Sequence, residues 1–307
     1  MKKCVVIYNK HSGKKNKKDF TEEFLNILCE NGYDSEFIVT KYKGHTIEIV
    51  ENLKNNIDLV ITIGGDGTFN ESMRGNFKRN KRLTLAHIPV GTTNDVGKMF
   101  GYGKDTISNL KLLMDGVTKK MDICTINGEP FVYVAGFGKF MNIPYETSRK
   151  SKKKLGYFAY VINAVKNFCK FTKLREVTYK LNGEEYKGLF SFMLIANATR
   201  IAGVNLFNNI KLDDDKFEIL FCNLRKRKDI IKTLYYLKKN DIEHVPGFFY
   251  HETNDIEISV ADEDNIPWCI DGEKIEISGS ATIKIDRNTS IMMPKKNIDK
   301  LFKNDSN

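Results

Sequence analysis

The chain has 307 residues, 41% hydrophobic and 29% charged, which excludes a disordered chain, a collagen-like repeat and a disulfide-dense miniprotein. At about 150 residues per domain it is long enough for two domains. A net charge of +10 points to an anionic partner: nucleic acid, nucleotide or an anionic membrane surface.

In chain order, Val5–Tyr8 is the first strand. This apolar run is too short for a signal peptide behind Lys2-Lys3, and no stretch approaches the ~20 apolar residues of a membrane helix, so a cytoplasmic location is expected. Glu36–Thr40, Leu59–Ile63 and Leu85–Pro89 also read as strands, separated by helix-like spacing over Phe20–Asn31, Thr46–Asn55 and Phe69–Phe77. Strand–helix alternation of this kind predicts a mostly parallel sheet covered by helices. From about Asp122 the pattern becomes one of strands and tight turns. Phe131–Gly136, Glu176–Leu181, Tyr186–Ala196, Phe217–Cys222, Glu257–Val260, Trp268–Ile270, Lys274–Ile277 and Ala281–Ile285 follow one another, with Asn182-Gly183 and Asp271-Gly272 as hairpin turns. Helical insertions are expected at Leu155–Phe168 and Asp229–Lys239. The predicted fold is α/β plus β: an α/β domain over 1–127, with the C-terminal 287–307 returning to it, and an antiparallel β-sandwich over 128–286. A cleft is expected between them.

Gly64-Gly65-Asp66-Gly67-Thr68 directly follows the strand Leu59–Ile63. Glycines at a strand-to-helix turn let bare backbone N–H groups and the positive helix end approach a phosphate chain. Thr68 suits a cap or a phosphate contact. Asp66 would repel phosphate unless a cation such as Mg²⁺ lay between them. The loop is not a Walker A motif, because GxxxxGK[ST] is absent. The next strand ends in Gly91-Thr92-Thr93-Asn94-Asp95, and loops after successive parallel strands share one sheet edge. The six cysteines contain no CxxC pair and the five histidines no HExxH spacing, so reduced thiols and no His- or Cys-based metal site are expected.

These residues carry a family resemblance. GGDGT with Asn70-Glu71 behind it, then Pro89-x-Gly91-Thr92-x-Asn94-Asp95, resembles the bacterial diacylglycerol kinases and their diacylglycerol and sphingosine kinase relatives. Asn9-x-x-Ser12-Gly13, Ala135–Gly138, Lys211-Leu212-Asp213-Asp214 and Asp271-Gly272-Glu273 extend the likeness over essentially the whole chain. It implies a Rossmann-like lobe binding ATP, a sandwich lobe taking the lipid, and phosphoryl transfer to diacylglycerol or a related lipid alcohol. By motif match, Asn9, Ser12, Gly13, Thr40, Gly64, Gly65, Asp66, Gly67, Thr68, Gly91, Thr92 and Asn94 would hold the nucleotide. Asp271 would be the catalytic base. Glu273, taken to lie on the same side of an extended segment, would join it. Asp66, Asp95 and Asp122 would surround a catalytic Mg²⁺, and Asp214 with the backbone at Lys211 and Lys216 a structural one. Two departures bear on this: Asp215 stands where the family turn has glycine, and Lys10 where NPxSG has proline.

Basic knots at Lys14–Lys18, Arg149–Lys154 and Arg225–Lys228 lack interleaved aromatics and a nucleic-acid module. They suit peripheral attachment to an anionic membrane better than base reading. Homodimer formation is left open. Two other functions are carried as alternatives: an NAD-kinase-like enzyme with a soluble acceptor, and a nucleotide-binding protein without chemistry. The motif order argues against the first, and intact Asp66, Asp95 and Asp271 against the second.

Overall fold

The computed structural model describes residues 1–13, 19–138, 174–201, 204–205, 207, 210–223, 245, 247–261 and 265–303. The helical insertions Leu155–Phe168 and Asp229–Lys239 and the knots Lys14–Lys18, Arg149–Lys154 and Arg225–Lys228 lie outside the described residues. Two compact units emerge, one from Met1–Asp122 with Arg287–Asn307 and one from Ile123–Asp286.

Four short apolar runs form the sheet of the first unit: β1 (Lys2–Tyr8), β2 (Tyr33–Val39), β3 (Leu59–Gly64) and β4 (Leu85–Pro89). They lie in the order β2-β1-β3-β4, every neighbouring pair parallel. β3 and β4 are buried along their whole length, as strands covered on both faces must be. The covering helices are α1 (Thr21–Glu30), α2 (His45–Asn52), α3 (Asp66–Phe77), α4 (Asp95–Met99) and α5 (Thr106–Met114). α1 shows how the sequence does this: Phe24, Ile27 and Leu28 fall on one face and are buried. Phe24 packs edge-on to Phe37 of β2. The last strand, β18 (Ser280–Met293), brings Ile291 beside Leu85 in parallel and so returns the C-terminus to this unit.

His87 of β4 is wholly buried, stacked on Phe69 of α3. Its Nδ1 lies 3.1 Å from the Thr62 hydroxyl, which already donates to the Ala86 carbonyl, so Nδ1 carries the proton. Nε2 has no partner. Burial lowers the pKa of this imidazole from 6.5 to about 3. The unfolded chain therefore takes up a proton below pH 6.5 that the folded chain refuses. Stability present above pH 6.5 falls by about 1.4 kcal/mol per pH unit as the pH drops towards 3. His87→Gln, which does not titrate, should flatten the denaturant midpoint between pH 6 and about 4.5 by that slope; an unchanged slope refutes the assignment.

The second unit is a sandwich of two antiparallel sheets. One contains β8 (Arg175–Leu181), β9 (Glu184–Phe190), β15 (Asp255–Val260) and the start of β18, with β5 (Val117–Ile126) paired to β6 (Glu129–Phe131). The other runs β14 (Phe248–Thr253), β13 (Phe217–Cys222), β10 (Phe192–Ala196), β7 (Val134–Gly138), β16 (Asn265–Ile270), β17 (Glu273–Ser278). Alternate residues of both inner faces make one core, among them Val177, Tyr179, Ile256 and Ile283 against Phe137, Ile195, Ile219 and Trp268. Three hairpins turn on two residues with positive φ: Asn127-Gly128, Asn182-Gly183 and Asp271-Gly272.

Two expected strands divide. Tyr186–Ala196 breaks at Ser191, whose N–H and hydroxyl both donate to the Cys222 carbonyl, and the halves β9 and β10 enter different sheets. Apolar residues flank the single Ser191 on both sides, so alternation carries no mark of the change. Phe131–Gly136 likewise splits into β6 and β7, at the residues that Asp271 holds.

Candidate active site

Four loops leave the carboxyl edge of the parallel sheet, and side chains tie them together. After β1, Asn9 N–H donates to the Ile63 carbonyl (2.9 Å) and its Nδ2 to the Thr68 hydroxyl (3.1 Å). Ser12 N–H closes back on the Asn9 carbonyl at 3.1 Å and Gly13 takes φ +78°, so the turn forms with Lys10 in place of proline. After β2, buried Thr40 donates its N–H to the Tyr8 carbonyl (2.9 Å), and Gly44 N–H reaches Glu71 Oε1 of α3 (3.0 Å).

The loops after β3 and β4 touch directly. Val90 N–H donates to the Gly64 carbonyl at 2.7 Å. Asp66 accepts from the N–H groups of Asp95 and Val96, both at 3.1 Å, one on each carboxylate oxygen. These bonds tie Asp66 to the first amides of α4, which offsets part of its charge and fixes the carboxylate in place beside the glycines. Asn94 sits at φ +52° with Nδ2 on the Gly91 carbonyl (3.1 Å), which leaves its buried Oδ1 without a partner. Thr92 is exposed, whereas Asp95 and Asp122 are buried.

The glycines differ in what they are for. A methyl on Gly91 would sit 2.7 Å from both Gly65 Cα and Asn94 Oδ1, so the fold itself demands glycine there. A methyl on Gly65 would meet nothing closer than Gly91 Cα at 3.5 Å, in a backbone with φ −92° that any residue adopts. A methyl on Gly67, in the first turn of α3, would meet nothing within 4 Å. Glycine in a helix costs up to about 1 kcal/mol relative to alanine. Folding does not require it at these two positions, and the bare backbone there is open to close approach.

Asp271 is 5% exposed and saturated. Its Oδ2 accepts from Val132 N–H (2.6 Å) and its Oδ1 from Tyr133 and Val134 N–H (3.0 Å each), while its own N–H donates to the Val134 carbonyl. Asp271 and Gly272 form the turn itself, at φ +48° and +85°, with Glu273 half-buried at the start of β17. The expected extended segment with both acids on one side is therefore absent: a positive-φ turn breaks the two-residue alternation. Asp271→Asn would keep the turn but set an amide N–H₂ against a backbone N–H. It should cost roughly 3 kcal/mol in urea unfolding, and a loss under about 0.5 kcal/mol would contradict this role.

In the Lys211–Lys216 turn, Asp215 takes φ +64°, so aspartate supplies the geometry expected of the missing glycine. Its carboxylate accepts from Asn254 Nδ2 (2.9 Å), and Asp214 Oδ1 from Lys216 N–H (3.2 Å). Lys216 Nζ pairs with Glu252 (3.1 Å). Next to the turn, Glu218 has a buried, unpartnered Oε2, and burial raises its carboxyl pKa to about 8. Among the described residues, no three His, Cys, Asp or Glu side chains converge to hold a metal by themselves.

The family model of the diacylglycerol kinase catalytic domain matches residues 3–126, the segment that builds all four loops. Over those residues the chain matches a diacylglycerol kinase catalytic domain, and the match supports a lipid kinase enzyme. Its curated relatives include a diacylglycerol kinase of Bacillus subtilis, 25% identical over 304 residues and covering 98% of this chain and 99% of that one. Another, from Staphylococcus carnosus, is 27% identical over 274 residues and covers 89% of each. Among solved structures, a diacylglycerol kinase from Bacillus anthracis aligns with a TM-score of 0.78 at 22% identity, covering 97% of this kinase and 99% of that chain. That likeness establishes the shared fold. The match to a kinase family implies ATP as the co-substrate. Two loop features escaped the sequence reading, the Gly44–Glu71 bond and the Tyr42–His45 ring contact. The first joins residues 27 apart, which no local pattern encodes.

Proposed function

We propose that this lipid kinase transfers the γ-phosphoryl group of ATP to the hydroxyl of diacylglycerol or a related lipid alcohol, giving phosphatidic acid or its analogue. The observation that carries the reading is the pair Gly65 and Gly67, glycines at a helix start that folding does not need. Bare N–H groups and the α3 N-terminus suit a phosphate chain there. Asn9, Ser12, Gly13, Thr40, Thr68, Thr92 and Asn94 belong to the same tied loops and hold the remainder of the nucleotide.

The residues present fit Mg²⁺. Asn94 Oδ1 is an unpartnered buried oxygen on the residue before Asp95, whose N–H is bonded to Asp66, and Mg²⁺ commonly takes one or two protein ligands together with substrate phosphates and water. When bound, Mg²⁺ neutralises charge developing on the phosphates. Asp122 completes the acidic set on this unit. A second, structural ion fits the Lys211–Lys216 turn, where Asp214 and the unpartnered Glu218 oxygen supply hard donors.

Proton removal from the acceptor hydroxyl falls to the Asp271-Gly272-Glu273 motif. Asp271 is committed to three amides and holds Val132–Val134 in place, so Glu273 is the better base. Among the described residues, no helix is long and apolar enough to cross a membrane. The net charge of +10 favours a peripheral hold on anionic lipid, weakened by salt.

The test is transfer of label from γ-labelled ATP to a panel of lipid alcohols and to NAD. Label in the lipid extract supports the proposal. Label on NAD alone would replace it with the soluble-acceptor reading.

A further inference from the structure

The carboxyl end of β2 presents an aromatic surface that takes no part in the core. Tyr42 is 52% exposed and Val39 beside it 39%. Burial does not hold the Tyr42 ring, yet two partners do. The ring rests against His45 with centroids 4.7 Å apart and planes 35° apart, and the hydroxyl donates to Glu48 at 2.5 Å. His45 is held in its turn, with Nδ1 accepting the Lys41 N–H at 3.2 Å. The supporting helix is fixed as well. Gly44 N–H at its N-cap bonds to Glu71 of α3, and the Arg79 guanidinium donates to the carbonyls of Val50, Glu51 and Leu53 at its far end.

Strand order gives this surface its meaning. β2 lies beside β1 and β1 beside β3, so the Tyr42 loop and the Gly65 loop leave the same edge two strand spacings apart, roughly 10 Å. A nucleotide whose phosphates lie at Gly65 and Gly67 and which extends along that edge brings its base to the end of β2. In other nucleotide-binding sheets of this kind the end of the second strand also faces the nucleoside.

We infer that Tyr42 is the stacking platform for the adenine base of ATP, backed by His45 on its other face. This rests on the reading that ATP phosphates occupy the glycine loops. Tyr42 acts as a binding residue: it positions the nucleotide and takes no part in proton transfer. Because every base offers a π-face, the platform sets affinity for nucleotides over bare phosphates more than it selects between purines.

Calorimetry on the full chain with two probes, ATP and inorganic tripolyphosphate, tests this. Tyr42→Ala should raise the Kd for ATP about 5- to 150-fold, the range of base–aromatic stacking, and leave tripolyphosphate binding unchanged. Tyr42→Phe should restore ATP binding to within about threefold of the parent, since only an exposed hydroxyl contact is lost. In turnover, Tyr42→Ala should raise KM for ATP without lowering kcat at saturation. If Tyr42→Ala binds ATP as tightly as the parent while Gly65→Ala loses both probes, the platform is refuted and the phosphate site stands. If Gly65→Ala also binds both probes normally, the phosphate site fails, and the platform with it.

Discussion

Glu273→Gln should reduce kcat by about 10²–10⁴-fold while the fold and the KM for ATP stay close to those of the parent. General-base contributions have that size, and glutamine matches glutamate in volume but cannot take a proton. The half-buried Glu273 begins β17 just beyond the hairpin turn, so the change leaves the three amide bonds of Asp271 untouched. Asp271→Asn behaves differently. It loses stability first, and any fall in turnover accompanies a fall in folded protein or a shift of Val132–Val134. Comparing the two at a temperature where both are folded separates base from scaffold. A Glu273→Gln enzyme with full turnover at saturating ATP and lipid would remove the base from this residue.

Gly65→Ala should leave the melting temperature nearly unchanged and raise the Kd for ATP roughly 100-fold or more. The added methyl fits the protein, with its nearest neighbour at 3.5 Å. Under the proposed function, however, it stands where the phosphate chain approaches the backbone, and losing even one or two N–H bonds to a charged phosphate, each worth about 1.5–3 kcal/mol, costs affinity on that scale. The contrast with Gly91→Ala is part of the prediction. There the methyl would lie 2.7 Å from Gly65 Cα, a backbone atom that cannot swing away. That variant should lose stability as well as binding, by roughly 1–3 kcal/mol of the kind overpacking costs. Gly65→Ala with unchanged nucleotide affinity would place the phosphates elsewhere.

Much of this was legible in the amino-acid order. The parallel sheet follows from short buried runs alternating with one-sided helices, because a strand buried on both faces needs no polar positions. The Asn-Gly and Asp-Gly pairs marked hairpins because both central residues of such turns need positive φ. What escaped were events that depend on partners far along the chain. Nothing local says that the Asp66 carboxylate caps α4, 29 residues on, or that Asp271 reaches back 139 residues to Val132. Residue type and motif suggest one acid as a metal ligand and the other as a base, and carry no sign of the amide bonds that position both carboxylates. The sheet change at Ser191 was hidden for a related reason. Its cause is the Cys222 carbonyl on another strand, and the apolar run itself continues on both sides. Asp215 shows the reverse case, a substitution that looked disruptive and yet keeps the φ +64° turn.

The central claim is phosphoryl transfer from ATP to a lipid hydroxyl. It is tested most directly by one competition reaction holding γ-labelled ATP, Mg²⁺, NAD and diacylglycerol dispersed in anionic micelles. The account predicts that label enters the chloroform-extractable lipid phosphate, leaves NAD unlabelled, and falls by at least about 100-fold with Glu273→Gln. Label on NAD with none in the lipid would contradict it, whereas lipid labelling that Glu273→Gln leaves undiminished would remove only the base from this residue.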